Sequence, residues 1–162
     1  MNPDCTKQEP SIAGKGKKKA IILLGHGSRA ASAADDMEKV AGRLRVKLDY
    51  EIIETCQMSG RGEHFPEVFD RCIARGAESI LVLPYFLHRG VHMLQDVPEM
   101  MREKAAAFPG VKVVLGNNLG FDEAIVDVVL KRVGESERLG DIRKIEWEKV
   151  SADSLSRPGK GR

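Results

Sequence analysis

The order of hydrophobic and polar residues divides most of the chain into short apolar runs that alternate with longer segments of helical spacing. After the apolar run at 21–24, Met37, Val40 and Leu44 recur three or four positions apart, which predicts an amphipathic helix. The same alternation predicts strands near 20–25, 50–55, 80–83 and 111–115, and helices near 30–48, 65–75, 97–108 and 122–133. Such alternation is typical of α/β proteins, so we expect a single doubly wound, mostly parallel, four-stranded sheet flanked by helices.

Composition indicates one folded domain between two polar ends. The chain has 162 residues, of which 42% are hydrophobic and 31% charged, enough for one sizeable core with a well-solvated surface. Residues 1–18 are polar and basic without periodicity, so we expect a disordered leader there. The predicted domain covers 19–134, and the charged extension at 135–162 is expected to be partly disordered.

Charge and cysteine content narrow the function classes. The net charge of +2 comes largely from basic residues near the two ends, so we expect no nucleic-acid partner. The three cysteines are far apart and form no CxxC pair, which argues against a disulfide framework and fits a reducing cytoplasm. No apolar run approaches the ~18 residues that a membrane span needs, so we expect a cytoplasmic protein without a membrane partner.

Two histidines lie just beyond predicted strands. His26 follows the first strand in the sequence GHGSR (25–29), and His92 lies beyond the third strand, after Pro84 and Gly90. Ligands of open α/β sheets gather at the carboxyl ends of the strands, so both imidazoles are expected to face one crevice. Since histidine is the commonest metal ligand, the pattern predicts a two-histidine site for a divalent metal ion.

Each histidine also has a structural interpretation. The glycines beside His26 permit a tight turn, and Ser28 is suited to cap the following helix. In the second segment, His88 and His92 share one face if the chain turns helically between them. Asp96 is then placed to orient the ring of His92, and we rank His92 above His88 for that reason. The alternative role of Asp96 is to cap the next helix.

Four segments, taken as a set, carry a resemblance to a known family. They are GHGSR (25–29), RGAESILVLPYFL (75–87), GVHMLQDVPEM (90–100) and LGFDEAIVD (119–127). Together they resemble the small CbiX-type class II chelatases, the family of sirohydrochlorin cobaltochelatases and ferrochelatases. The resemblance implies insertion of a divalent metal, cobalt first or else iron, into sirohydrochlorin in cobalamin or siroheme biosynthesis. The metal ion is then a substrate and not a permanent cofactor. Nickel is a further candidate ion, because histidine ligands also bind it.

The resemblance also implies roles for particular residues. His26 and His92 become the catalytic pair that handles the metal, below a tetrapyrrole held in the cleft above the sheet. One imidazole is in addition suited to accept a pyrrole proton. Longer relatives carry two fused copies of this unit and the chain contains one, so a homodimer is implied. The candidate substrate-binding residues are Ser28, Arg29 and Arg89 for the carboxylates, and Leu87 and Val91 for the flat face of the ring.

One position departs from the family pattern. Many relatives carry Leu-Glu or Met-Glu after the second strand, and the matching place here is Met58-Ser59. Glu54, Glu63 and His64 are the nearby candidates to replace that carboxylate. If none of them does, the alternative of a non-enzymatic carrier of a metal or tetrapyrrole on the same fold is favoured.

A phosphoryl-transfer enzyme with His26 as the nucleophile beside Arg29 is a further alternative. It requires several cations that converge on a phosphate group. The histidine phosphatases carry Arg-His-Gly, whereas this chain has Gly-His-Gly at 25–27. We therefore place this alternative below the chelatase and the carrier.

Overall fold

The computed structural model describes residues 17–27, 32–60, 62–88, 90 and 95–144 of the chain. Within these ranges four strands alternate with four helices, and the short 3₁₀ helix Ile142–Lys144 follows the last of them. The elements are β1 (Lys19–Gly25), α1 (Ser32–Lys47), β2 (Ile52–Gln57), α2 (Phe65–Ala74), β3 (Ser79–Pro84), α3 (Val97–Ala106), β4 (Lys112–Leu115) and α4 (Glu123–Ser136).

The strands form one sheet in the order β2-β1-β3-β4, and every pair is parallel. This confirms the predicted fold class. The interior strand β1 is apolar from Ala20 to Leu24, which is typical of a parallel strand that is covered on both faces. Its register places Gly25 beside Gln57 of β2 and Leu24 beside Pro84 of β3. The carboxyl ends of the three strands therefore meet at one edge of the sheet.

Alternation along β1 separates the core into two layers. Ala20, Ile22 and Leu24 belong to the layer under α2 and α3, whereas Ile21 and Leu23 belong to the layer under α1. Successive side chains of a strand point to opposite faces, so one apolar run supplies both layers. The first layer also contains Phe65, Phe69, Cys72, Val97 and Met101, and the second also contains Met37, Ala41 and Ile53.

Most predicted boundaries differ from the structure by one or two residues, and the second strand and the last helix show how such differences arise. The second strand was expected at 50–55 but lies at Ile52–Gln57, because its parallel ladder with β1 continues as far as Gly25. Polar residues such as Glu54 and Gln57 obscured this end of the strand, and Glu54 is tolerated there because it pairs with Arg71 and Arg75. The last helix continues to Ser136, past its predicted end at residue 133.

Helix α4 differs from the other helices in its packing. Asp122 caps it by accepting a hydrogen bond from the backbone N–H of Ala124 at 2.9 Å, yet none of its residues is buried. Its exposed aliphatic side chains are Val126, Val128, Val129, Leu130 and Val133. No helix in the described part of the chain is long and apolar enough to cross a membrane.

Candidate functional site

The backbone around His26 is fixed by the strands on both sides of β1. The N–H of Tyr85, just after β3, donates to the carbonyl of Leu24 at 2.8 Å. On the other side, the N–H of Met58, just after β2, donates to the carbonyl of Gly25 at 2.9 Å. His26 itself is exposed. The first residue beyond β1 is thus an imidazole held at the carboxyl edge of the sheet, with access to solvent.

Both glycines that flank His26 lie close to residues at the end of β2, and at Gly27 the backbone leaves no room for a side chain. A Cβ on Gly25 would overlap the amide oxygen of Gln57, whose side chain is buried. Gly27 has a φ of +110°, and a Cβ there would lie 2.7 Å from the carbonyl carbon of Ser59. The Ser59 hydroxyl also donates to the carbonyl of His26 at 3.2 Å. The segment after β2 therefore packs directly against the turn that carries the histidine.

An aromatic ring stands beside the imidazole. The centroids of the His26 and Phe86 rings are 5.9 Å apart, and the ring planes meet at 64°, an edge-to-face arrangement. Aromatic pairs favour this geometry. Phe86 is half-buried and packs against the layer under α2 and α3, so one side of the His26 ring borders on the protein core.

The carboxylates considered as replacements at the Ser59 position are held in ion pairs. Glu63 accepts hydrogen bonds from both terminal nitrogens of Arg71, one of them at 2.7 Å. These bonds lower the pKa of Glu63. Glu54 accepts from Arg71 at 3.1 Å and from Arg75 at 2.5 Å. Both side chains therefore link β2 and its following loop to α2, which is a structural role.

A shallow cleft of about 220 Å³ opens at the outer edge of β2. Two of its carboxylates are already paired, Glu63 with Arg71 and Glu38 with Arg45. The hydrogen bond from Arg45 lowers the pKa of Glu38, so this carboxyl is held in its charged form. The lining residues are Asp35, Glu38, Thr55, Cys56, Gln57, Gly62 and Glu63. The cleft is acidic, and it lies beside the Gln57 side chain that supports Gly25.

The structure places some of the predicted site residues. His26 follows the end of β1 as expected, and Leu87 and His88 are both exposed beyond β3. Asp96 occupies the N-cap position of α3 but makes no side-chain capping hydrogen bond, so the capping alternative is wrong. The remaining predicted residues lie outside the described ranges: Ser28, Arg29, Arg89, Val91 and His92. Their assignments stay predictions.

Among the described residues, no group of three or more His, Cys, Asp or Glu side chains is arranged to hold a metal ion. Phe86, Gln57 and Asn118 support the His26 region but were not predicted from the sequence. The signal for Phe86 was its place two residues beyond the third strand, whereas Asn118 lies 32 positions from Phe86 and gave no local signal.

Comparisons with known proteins agree with this arrangement. The sequence model of the CbiX family matches residues 20–136. The sirohydrochlorin ferrochelatase of Priestia megaterium is 32% identical over 117 residues, which cover 72% of this chain and 44% of that protein. The sirohydrochlorin cobaltochelatase of Methanococcus aeolicus is 29% identical over 137 residues, which cover 70% of this chain and 96% of that protein.

A solved structure shows the same similarity. The sirohydrochlorin chelatase SirB from Bacillus subtilis subspecies spizizenii, in complex with cobalt, matches with a TM-score of 0.68 and 26% identity. The match covers 73% of this chain and 50% of that chain. The chain therefore spans about half the length of some relatives and nearly the whole length of others.

Proposed function

The chain belongs to the CbiX family of class II chelatases, and we propose that it inserts a divalent metal ion into sirohydrochlorin. The observation that carries the proposal is the position of His26 in a chain that matches the family over residues 20–136. This imidazole is exposed at the carboxyl edge of the sheet, where ligands of open α/β folds bind.

Metal insertion requires an ion that is partly stripped of water and a macrocycle that loses two pyrrole N–H protons. An exposed imidazole suits the first task, because it binds cobalt or iron(II) with moderate strength and leaves other coordination positions open. In the proposal, His26 and His92 handle the metal together, one of them accepts one pyrrole proton after it has released the ion, and the second proton passes to solvent. A closed site with four protein ligands would instead retain the ion.

Sirohydrochlorin is a flat ring with many carboxylates at its rim. The proposal assigns Arg29 and Arg89 to the carboxylates as charge-assisted hydrogen-bond donors, with Ser28 as a further donor. Leu87, which is 50% exposed, and Val91 would contact the face of the ring. The exposure of Leu87 supports this role, since a side chain that packed within the core would be covered.

The order of metals in the proposal is cobalt, then iron, then nickel. Histidine ligands accept all three, and selection among them depends on geometry and availability. The named relatives include both a cobaltochelatase and a ferrochelatase. The relative rates with Co²⁺, Fe²⁺ and Ni²⁺ under anaerobic conditions decide which ion this chain prefers.

A homodimer forms part of the proposal. Some relatives are about twice as long as the matched region, and a tetrapyrrole needs walls on both sides. A second copy would supply the second wall, through an isologous contact that includes the exposed Tyr85 and Leu87.

One observation favours a carrier as the second candidate. The position of the family carboxylate is occupied by Ser59, and the nearby Glu54 and Glu63 are paired with arginines. If insertion requires a carboxylate there, the chain would bind metal or tetrapyrrole without turnover. Glu54→Gln tests whether Glu54 replaces the family carboxylate. If Glu54 has only a structural role, the folded variant should insert metal at the wild-type rate.

The test is anaerobic incubation of the purified chain with sirohydrochlorin and each metal ion, followed by absorbance. A chelatase converts many equivalents of the macrocycle and raises the rate above that without protein. Conversion of no more than one equivalent, at the uncatalysed rate, would contradict the enzyme and support the carrier.

A further inference from the structure

The loop between β4 and α4 holds the backbone next to Phe86. The side-chain amide nitrogen of Asn118 donates to the carbonyl of Phe86 at 3.1 Å, and the N–H of Leu119 donates to the same oxygen at 3.0 Å. Gly120 adds a longer N–H contact at 3.4 Å. Three donors from one loop therefore converge on a single carbonyl, which fixes the peptide between Phe86 and the next residue.

The Asn118 amide also reaches the following peptide. It lies 3.4 Å from the carbonyl of Leu87 and 3.1 Å from that of Phe86. An asparagine amide nitrogen carries two donor hydrogens, which matches two neighbouring carbonyls. An aspartate has the same shape, but its ionised carboxylate only accepts hydrogen bonds, so it would repel both oxygens.

The ring of Phe86 transmits this constraint to His26. Its backbone is held by the loop, and its ring packs against the core layer on one side and meets the imidazole edge to face on the other. His26 lies between two glycines, which offer no side chains of their own to restrict its ring. The Phe86 ring is thus a wall that favours particular rotamers of His26.

We infer that Asn118 is a positioning residue for His26, which acts through Phe86 and does not itself touch the substrate. The inference rests on the proposed function in one respect, namely that His26 handles the metal. The loop at 116–120, which follows β4 and contacts the segment after β3, would then help to position the histidine.

The experiment compares Asn118→Asp and Asn118→Ala with the matched control Asn117→Asp. Asn117 is the exposed neighbour in the same loop, so the control adds the same charge without removing the hydrogen bonds to Phe86. Phe86→Leu serves as a second route to the same effect, because it removes the aromatic wall but keeps an apolar side chain. Far-ultraviolet circular dichroism and urea unfolding identify the variants that fold.

The first readout is the NMR signals of the His26 ring protons in the metal-free full chain, assigned by their loss in His26→Gln. An aromatic ring at this distance shifts the signals of its neighbour. We expect both Asn118 variants and Phe86→Leu to move the His26 signals, and Asn117→Asp to leave them in place. Unmoved His26 signals in the folded Asn118 variants and in Phe86→Leu would overturn the inference.

The second readout is the kinetics of metal insertion. Misplacement of a reacting group lowers kcat with little effect on substrate binding, and displacements near 1 Å cost up to about 100-fold. We therefore expect Asn118→Ala to lower kcat by about 10- to 100-fold with an unchanged KM for sirohydrochlorin. A loss of activity without any movement of the His26 signals would also overturn the inference. If the His26 signals move in the variants but the wild-type chain never inserts metal, the proposed function alone is contradicted.

Discussion

Ser59 closes over Gly27 so tightly that no side chain fits between them. A Cβ at Gly27 would overlap the Ser59 carbonyl oxygen and lie 2.9 Å from its hydroxyl oxygen. The same serine donates to the carbonyl of His26. Ser59 thus has a structural function, since it locks the turn after β1 against the segment after β2.

Gly27→Ala is expected to destabilise the fold. Alanine would meet both the Ser59 backbone and an unfavourable φ of +110°, and such a strained residue costs about 1–3 kcal/mol before any clash is counted. Gly42→Ala is the matched control. Gly42 lies within α1 with no atom near its Cβ position, so alanine there should stabilise the fold by about 0.5–1 kcal/mol.

Urea unfolding of the two variants measures these opposite effects. A Gly27→Ala chain as stable as the wild type would show that the turn relaxes freely and that Ser59 does not lock it.

The ion pair between Glu63 and Arg71 should make stability depend on pH. Hydrogen bonds from Arg71 lower the pKa of Glu63 in the folded chain. The stabilising effect is therefore complete above the unfolded glutamate value of about 4.3 and is lost as the pH falls below it. Glu63 is 58% exposed, so we expect no more than about 1 kcal/mol.

The check is the free energy of unfolding at about pH 7 and about pH 4 for the wild type and for Glu63→Gln. The wild type should lose more stability on acidification than the variant does. Equal losses would mean that the pair contributes nothing, in which case Glu63 becomes a candidate for the missing carboxylate again.

The assembly is expected to be a dimer with its contact near the strand ends. Light scattering should give about twice the chain mass of 17.9 kDa, and Leu87→Asp should reduce it to one chain, because it adds a charge to the proposed contact. Leu130→Asp, on the exposed apolar face of α4, is the matched variant at a different surface. Dissociation by Leu130→Asp alone would place the contact at α4 and contradict a cleft shared at the strand ends.

The strand and helix order was predictable because each element carries its own pattern of apolar residues. The apolar run of β1 reflects burial on both faces of the strand. The apolar residues of α1 recur at helical spacing because the helix is buried on one face only. Contacts between distant segments were not predictable in this way. Asn118 and Phe86 are 32 positions apart, and only the pairing of β3 with β4 brings them together.

The candidate site was predictable in part. The position of His26 followed from a strand that ends in glycine, since parallel strands bring their carboxyl ends to one edge. The ion pairs of Glu54 and Glu63 were not foreseen, because the sequence does not show which arginine of another element a carboxylate contacts in the fold. The unburied apolar face of α4 was also missed, since its spacing resembles that of a packed helix.

The most direct test of the account is the rate of cobalt insertion by His26→Ala and His92→Ala at limiting metal, with circular dichroism to confirm that each variant folds. We predict that each loses about 100-fold or more of the catalysed rate, the range that a positioned acid–base group contributes. His88→Ala, at an exposed residue beyond β3, is the comparison variant and should show a smaller loss than His92→Ala. Wild-type rates in a folded His26→Ala or His92→Ala chain would contradict the two-histidine mechanism.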